Sequence, residues 1–556
     1  MKIRKSGFQL VCVMGFFLVA LGFFEAPARG QGIPGVLTWH NDHNRDGQNL
    51  RETILTPQNV KAGSFGKKFS YPVDGQIYAQ PLYVPYLSIP GQGVHNVVFV
   101  ATENDSVYAF DADGLSPYPN PLWQVNFTDP ANGITTVPCA EDSTSCNIYP
   151  VIGITGTPVI DSTSKTLYLI ARTKEVVDGV TSYVERLHAL DIAAGTEKFG
   201  GPVVIQASVP GTGLGSKGGQ VAFNPQHQGQ RPGLLLLNGV VYIAWAGWHG
   251  WVMGYNAQTL QQVAVLNTTP NSGHGGFWAS GGTLAADSLG NIYAATADST
   301  FDVNTGGVDY GDSVLKLSSS TLAVLDYFTP SDQACRLTND LDLGSGGPML
   351  LPPQNGPYPD ELIMAGKGGT PCDLFGSTYA APIYLVNRDN LGQYNSQQDS
   401  DVQTVAGAPY GYWSNPASWK GPDSTYYVYL SGVTGDSGVA DYLKAYSLST
   451  GLLSTSPVAQ SSNLFPVGST PSVSANGTTN GIVWAIERPE ALDAHPGKGS
   501  AILWAYDATD VSKTLYDSNR ASDQAGPATK FIAPTIVNGK VYVGTQTELD
   551  VYGLLQ

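Results

Sequence analysis

A five-residue run with apolar side chains on alternate positions, closed by a turn-forming or small residue, recurs along the chain as VYAFD (107–111), LHALD (187–191), VMGYN (252–256), VLKLS (314–318), IYLVN (383–387), LKAYS (443–447), LWAYD (503–507) and LDVYG (549–553). Each copy follows a more continuous apolar run, such as NVVFVAT, TLYLIAR or GVVYIAW, and most of those follow a segment rich in small residues, such as GTPVID, GGTLAAD or GGPMLLP. Alternation with a period of two marks half-buried strands, and short continuous apolar runs bounded by turn residues mark fully buried ones. A turn and a further strand, as in PLWQVNF, come after the recurring run. Four antiparallel strands per unit in eight copies predict an all-β chain folded as an eight-bladed β-propeller.

The two ends of the chain bear on this reading. The last unit stops at Gln556 with no room for a fourth strand, while FGKKFSYPV (65–73) is an extra strand ahead of the first complete unit. The N-terminal strand is therefore expected to complete the last blade, which closes the ring and removes the edges an open sheet would present. An elongated solenoid would not produce matching deficits at both ends.

In a meandering blade the loop that enters the inner strand lies on the same face as the turn between the second and third strands. Trp278 precedes the inner strand GGTLAAD, and Asp298 follows the second strand NIYAAT. The loop PCAEDSTSC (138–146) and the carboxylates Asp332, Asp340 and Asp342 also precede inner strands, and Lys367 follows ELIMAG. An indole, a lysine and several carboxylates are thus expected around one axial mouth, a usual place for a ligand site. Each has a plainer alternative: Trp278 as blade packing, Asp298 as a turn cap, Lys367 as a solvated or ion-paired residue, Asp340 and Asp342 as ordinary loop carboxylates.

The N-terminus bears on location. Lys2, Arg4 and Lys5 precede a mostly apolar stretch from Phe8 to Phe24 and then Ala26-Pro27-Ala28, the layout of a secretory signal peptide. Residues 1–28 are expected to be a leader and 29–556 a single propeller domain. Cys12 lies inside the apolar stretch, so no lipid anchor is expected, and no later run approaches the length of a membrane span. The protein is expected to be secreted or periplasmic and monomeric. Cleavage after Ala28 leaves 25 basic against 44 acidic side chains, a net −19, which disfavours nucleic acid and anionic membranes. Four cysteines remain. In an oxidising compartment they are expected to form two disulfides, Cys139 with Cys146 and Cys335 with Cys372, and no spacing suited to structural zinc or to haem attachment occurs.

The repeat, together with YPVDGQIYAQPLYV, GITGTPVID, GDSVLKLS, DLGSGGPMLLP and YLVNRDNLG, resembles the pyrroloquinoline-quinone (PQQ) repeat propellers of the quinoprotein alcohol dehydrogenase superfamily, in their secreted bacterial form. The opening TWHNDHNRDGQNLRETILTPQNV is similar to the segment of those enzymes that leads into the first outer strand. The resemblance implies roles residue by residue. Trp278 would be the floor under the quinone, Asp298 (in Thr296-Ala297-Asp298) an oxygen ligand to Ca²⁺, Lys367 the basic residue at the quinone carbonyls, and Asp340 or Asp342, after Thr329-Pro330, the catalytic carboxylate. Cys139 and Cys146 stand where the family has two adjacent cysteines beside the cofactor, but are seven positions apart. The family's glutamate ligand falls near Trp248 and His249, where no carboxylate occurs, and the loop GGTPCDLFGSTYAA follows Lys367. These departures favour a propeller that binds a small molecule or a protein partner at its axial face, without full dehydrogenase chemistry. The alternative is a PQQ- and Ca²⁺-dependent alcohol or sugar dehydrogenase that passes electrons to a separate acceptor.

Overall fold

The protein is described from a computed structural model covering Met1 and residues 35–115, 118–142, 146–368, 372, 381–406, 414–434, 439–489, 497 and 499–555. Apart from Met1, the expected leader, residues 1–28, lies outside the described residues. Antiparallel sheets form a ring of eight blades, each led by a short inner strand at the axis. In the first blade the strands are Leu82–Ile89, Gly93–Ala101, Ser106–Asp111 and Trp123–Asn126, paired in sequence order. The recurring five-residue runs are the third strands throughout, for example within Trp251–Asn256, Val314–Ser318 and Ile502–Asp507. Apolar residues from facing sheets make the core between blades: Tyr168, Ile170 and Leu187 of the second blade meet Ile243, Trp245 and Trp251 of the third. Tyr293 and Val314 of the fourth meet Leu362, Met364 and Tyr384 of the fifth.

The eighth blade closes the ring as expected. Its strands Thr535–Val537, Lys540–Gly544 and Glu548–Leu554 are completed by Phe65–Pro72, with Phe65 opposite Leu554 and Tyr71 opposite Leu549. Phe65 is fully buried, its ring edge-on to Tyr516 at 4.9 Å and tilted against Trp484 at 5.5 Å in the seventh blade. The Lys67 ammonium ion-pairs with Glu548 and Asp550 across the new seam.

The segment before that strand does more than lead into it. Residues 36–49 run along the inner strands and bond to seven of the eight blades. Val36 pairs with Tyr83, and the carbonyls of Leu37, His43, Asn44, Asp46 and Gly47 accept from the amides of Ile160, Ala286, Leu350, Ser418 and Val473 at 2.8–2.9 Å. Asn49 Nδ2 reaches the carbonyl of Ile536 at 2.9 Å. An inner strand has an unpaired edge facing the axis, and each such buried group without a partner is costly. The segment supplies those partners. Its winding course needs left-handed backbone at His40, Asn41, Arg45 and Gly47 (φ 53°, 71°, 67° and 70°), the conformation Asn and Gly adopt most readily. Arg45, 1% exposed, fastens it: Nε donates to the Leu284 carbonyl at 2.9 Å, and Nη1 to Thr38 Oγ1 and the carbonyls of Trp39 and Asp42.

One element lies outside the all-strand reading. The loop after Thr329-Pro330 holds a short α-helix, Gln333–Thr338, which positions residues at the mouth.

Candidate functional site at the axial mouth

Asp298, Asp340, Asp342 and Lys367 converge between the fourth and fifth blades. Asp298 follows the strand Asn291–Ala295, and its amide donates to Asp342 Oδ1 at 3.1 Å. Lys367 follows the strand Glu361–Met364, and its amide donates to the Asp342 carbonyl at 2.9 Å, so the backbone holds both loops against Asp342. Lys367 Nζ lies 2.8 Å from Asp342 Oδ2 and 3.1 Å from Asp340 Oδ1. Carboxylate oxygens of the three aspartates all lie within 4.8 Å of one another.

Crowding separates the protonation states. Burial, reinforced by the neighbouring Asp342, pushes Asp298 up to about 9. Burial also opposes ionisation of Asp342, but Lys367 and the hydrogen bonds from Asp298 outweigh it and hold that carboxyl below the usual aspartate range. At neutral pH the pair shares one proton, resident on Asp298, while Asp342 carries the charge that faces Lys367.

The short helix braces this cluster. Arg336, 2% exposed, donates through Nε to Asp332 at 2.7 Å, through Nη1 to the carbonyls of Leu341 and Lys367, and through Nη2 to the Tyr384 hydroxyl at 3.0 Å. The Cys335–Cys372 disulfide joins the helix to the chain beyond Lys367. Asp312, fully buried, accepts from the Leu343 amide at 3.0 Å, and burial pushes it up to about 8.

Trp278 belongs to a second group. The Arg231 guanidinium lies over its ring at 5.0 Å and over that of Phe531 at 5.5 Å. Phe531 packs with Tyr78, Val137, Ile148 and Ile152, which brings the Cys139–Cys146 loop to the same mouth. Lys530 Nζ donates to the Asn147 carbonyl at 3.3 Å, tying that loop to the eighth blade. Beside Phe531 a small cleft is lined by Ser469, Thr470, Arg488, Thr529 and Lys530. Glu103, 1% exposed, accepts from the Gly153 amide and the Thr155 hydroxyl, and burial pushes it up to about 7. Asn415 of the sixth blade bridges the two groups, donating to the carbonyls of Ala279 and Ser280 and accepting from the Gly347 amide at 2.7 Å.

Both expected disulfides are present. The four polar residues read from the sequence share one cluster. The ring of Trp278 faces Arg231, a residue that sequence reasoning missed because QGQRPG carries no strand or motif signal. Near the position of the family's glutamate, His249 bonds the carbonyls of Thr269 and Leu214, and Trp248 stacks on His227 at 3.6 Å. The carboxylate oxygens suit a hard divalent cation. The fit to a quinone is poorer, because Arg231 covers a face of Trp278 and the linked cysteines are seven positions apart.

The fold is that of an eight-bladed propeller, similar in architecture to quinohemoprotein alcohol dehydrogenases and a methanol dehydrogenase. Among solved structures it is similar to the quinohemoprotein alcohol dehydrogenase ADHIIG of Pseudomonas putida (13% identity, TM-score 0.57, 94% of this chain and 80% of that one). It is similar also to the quinohemoprotein alcohol dehydrogenase of Comamonas testosteroni (14%, 0.53, 94% and 80%). A third is a europium-containing methanol dehydrogenase (13%, 0.56, 94% and 98%). At these identities the likeness is one of fold. No protein-family model matches the chain, and no curated protein does. Among the described residues no helix is long and apolar enough to cross a membrane.

Proposed function

We propose that the protein is an exported propeller that binds a small ligand at its axial mouth and does not carry out dehydrogenase chemistry. The observation that carries this reading is the closed circuit of the acidic cluster. Lys367 ion-pairs with both Asp340 and Asp342, and Asp298 holds a proton against Asp342, so the buried carboxylates of the cluster are already engaged. A group that must accept a substrate proton needs a free, correctly tuned acceptor. Polar groups satisfied among themselves instead form a rigid wall for recognition. Export is supported by the N-terminal sequence and by two disulfides.

The second reading, a PQQ- and Ca²⁺-dependent dehydrogenase with a separate electron acceptor, is favoured by the three convergent carboxylates. One experiment separates the two. The mature protein is incubated with PQQ and Ca²⁺, and reduction of an artificial electron-accepting dye is followed with a panel of alcohols and aldose sugars. The binding reading expects no dye reduction above the protein-free control. Substrate-dependent reduction that needs both PQQ and Ca²⁺, and is lost in Asp342→Asn, would establish the dehydrogenase.

A further inference from the structure

We infer that Arg231 is the receptor for an oxyanion, and that the mouth takes a small aromatic carboxylate or phosphate. This rests on the reading that the mouth binds a small ligand, and names the class of that ligand. Arg231 is 5% exposed, yet its Nη2 is buried without a hydrogen-bond partner among the described residues. A guanidinium carries five donors in a planar fork suited to two oxygens of one anion, and leaving part of it unmatched in a desolvated place is costly. Its acidic neighbours Asp142 and Glu103 each have another partner. Asp142 lies 2.9 Å from Arg172, and Glu103 gives an oxygen to the Gly153 amide and the Thr155 hydroxyl.

The surroundings point the same way. Phe531, over which Arg231 lies, also lines the cleft that contains Arg488 and Lys530, each 6% exposed, together with the hydroxyl residues Ser469, Thr470 and Thr529. Three cations therefore lie around Phe531 in a chain of formal charge −17. Asp298, Asp340 and Asp342 form a separate acidic cluster between the fourth and fifth blades. Like charges repel an anion from that cluster, so the head group is directed to Arg231. Trp278, Phe531 and Tyr78 offer ring faces and edges for a flat body attached to it.

The test is calorimetric titration of the full mature chain with benzoate, phenyl phosphate and neutral benzamide. Benzoate or phenyl phosphate is expected to bind saturably, with benzamide at least tenfold weaker; whichever anion is tighter identifies the head group. Arg231→Gln should weaken the anion tenfold or more, and Arg231→Lys should recover part of the loss. Benzamide binding as tightly as benzoate would overturn anion recognition while leaving small-ligand binding at the mouth intact. Unchanged anion affinity in Arg231→Gln, or no binding of either anion, would overturn the assignment. The contrast between benzoate and benzamide in the unaltered protein tests the charge requirement even if the variants fold poorly, whereas the dye-reduction result bears on the chemistry alone.

Discussion

Replacing Phe65 by alanine attacks the ring at its seam. The side chain is fully buried and is the point where the N-terminal strand enters the core between the seventh and eighth blades, among Trp484, Tyr516, Tyr552, Ile482 and Leu503. Truncating a buried phenylalanine costs about 3–5 kcal/mol from lost transfer energy and the cavity left behind. The edge-on contact with Tyr516 at 4.9 Å and the tilted one with Trp484 at 5.5 Å place the expectation toward the upper part of that range. Phe69, on the same strand and half-buried, is the control, and Phe69→Ala should cost about 1–2 kcal/mol, in line with partial burial. Urea unfolding followed by far-ultraviolet circular dichroism measures both. The expected result is a large fall in the midpoint for Phe65→Ala with an unchanged slope, since the surface exposed on unfolding stays the same. A loss below about 1 kcal/mol, or one no greater than that of Phe69→Ala, would refute the view that this strand is integral to the last blade.

Three further outcomes are expected. Arg45→Ala should destabilise the protein by about 3–5 kcal/mol in the same assay, because it leaves the carbonyls of Leu284, Trp39 and Asp42 without their donor; a near-neutral effect would mean that the axial segment is held by its main chain alone. Asp298 and Asp312 have folded-state values of about 9 and 8, above the ordinary 3.8, so the folded state holds protons that the unfolded state releases, and stability should fall as pH rises from about 4 through 9. A thermal-melt series should show that decline, and Asp298→Asn should flatten it; a melting temperature rising across the window would contradict the assignment. Thiol titration of the unreduced mature protein should find no free cysteine, and replacing Cys335 and Cys372 together by alanine should cost about 2–4 kcal/mol by calorimetry, whereas a measurable thiol would exclude the pairing.

The blades were legible because their signal is repeated. Eight copies of a five-residue run fix the third strands, and FGKKFSYPV stands out as a strand without a unit of its own. Asp298, Asp340, Asp342 and Lys367 could be placed on one mouth by topology alone, since each flanks a strand end on the same face. The axial segment was not legible in this way. Its bonds to the inner strands are made mainly by carbonyl groups, which every residue possesses, so TWHNDHNRDGQN shows turn chemistry but no period. The helix Gln333–Thr338 is too short for a periodic signal, and it is held by Arg336 and a disulfide more than by propensity. Arg231 escaped for a third reason: a cation between two rings from distant blades is created by ring closure and leaves no trace in the local sequence.

The axial segment also sets an order of events in time. It is made long before one of its partners, since its bond from Asn49 is to Ile536, 487 positions later. Through most of synthesis the segment has no finished channel to occupy, and the two blades at the seam keep open edges that could pair with another chain. Only when Glu548–Leu554 becomes available can the seam close. A chain stopped short of Glu548 would thus hold nearly all of the protein's blade-to-blade packing and still be a species prone to association, so that the completeness of the molecule is checked by its own geometry.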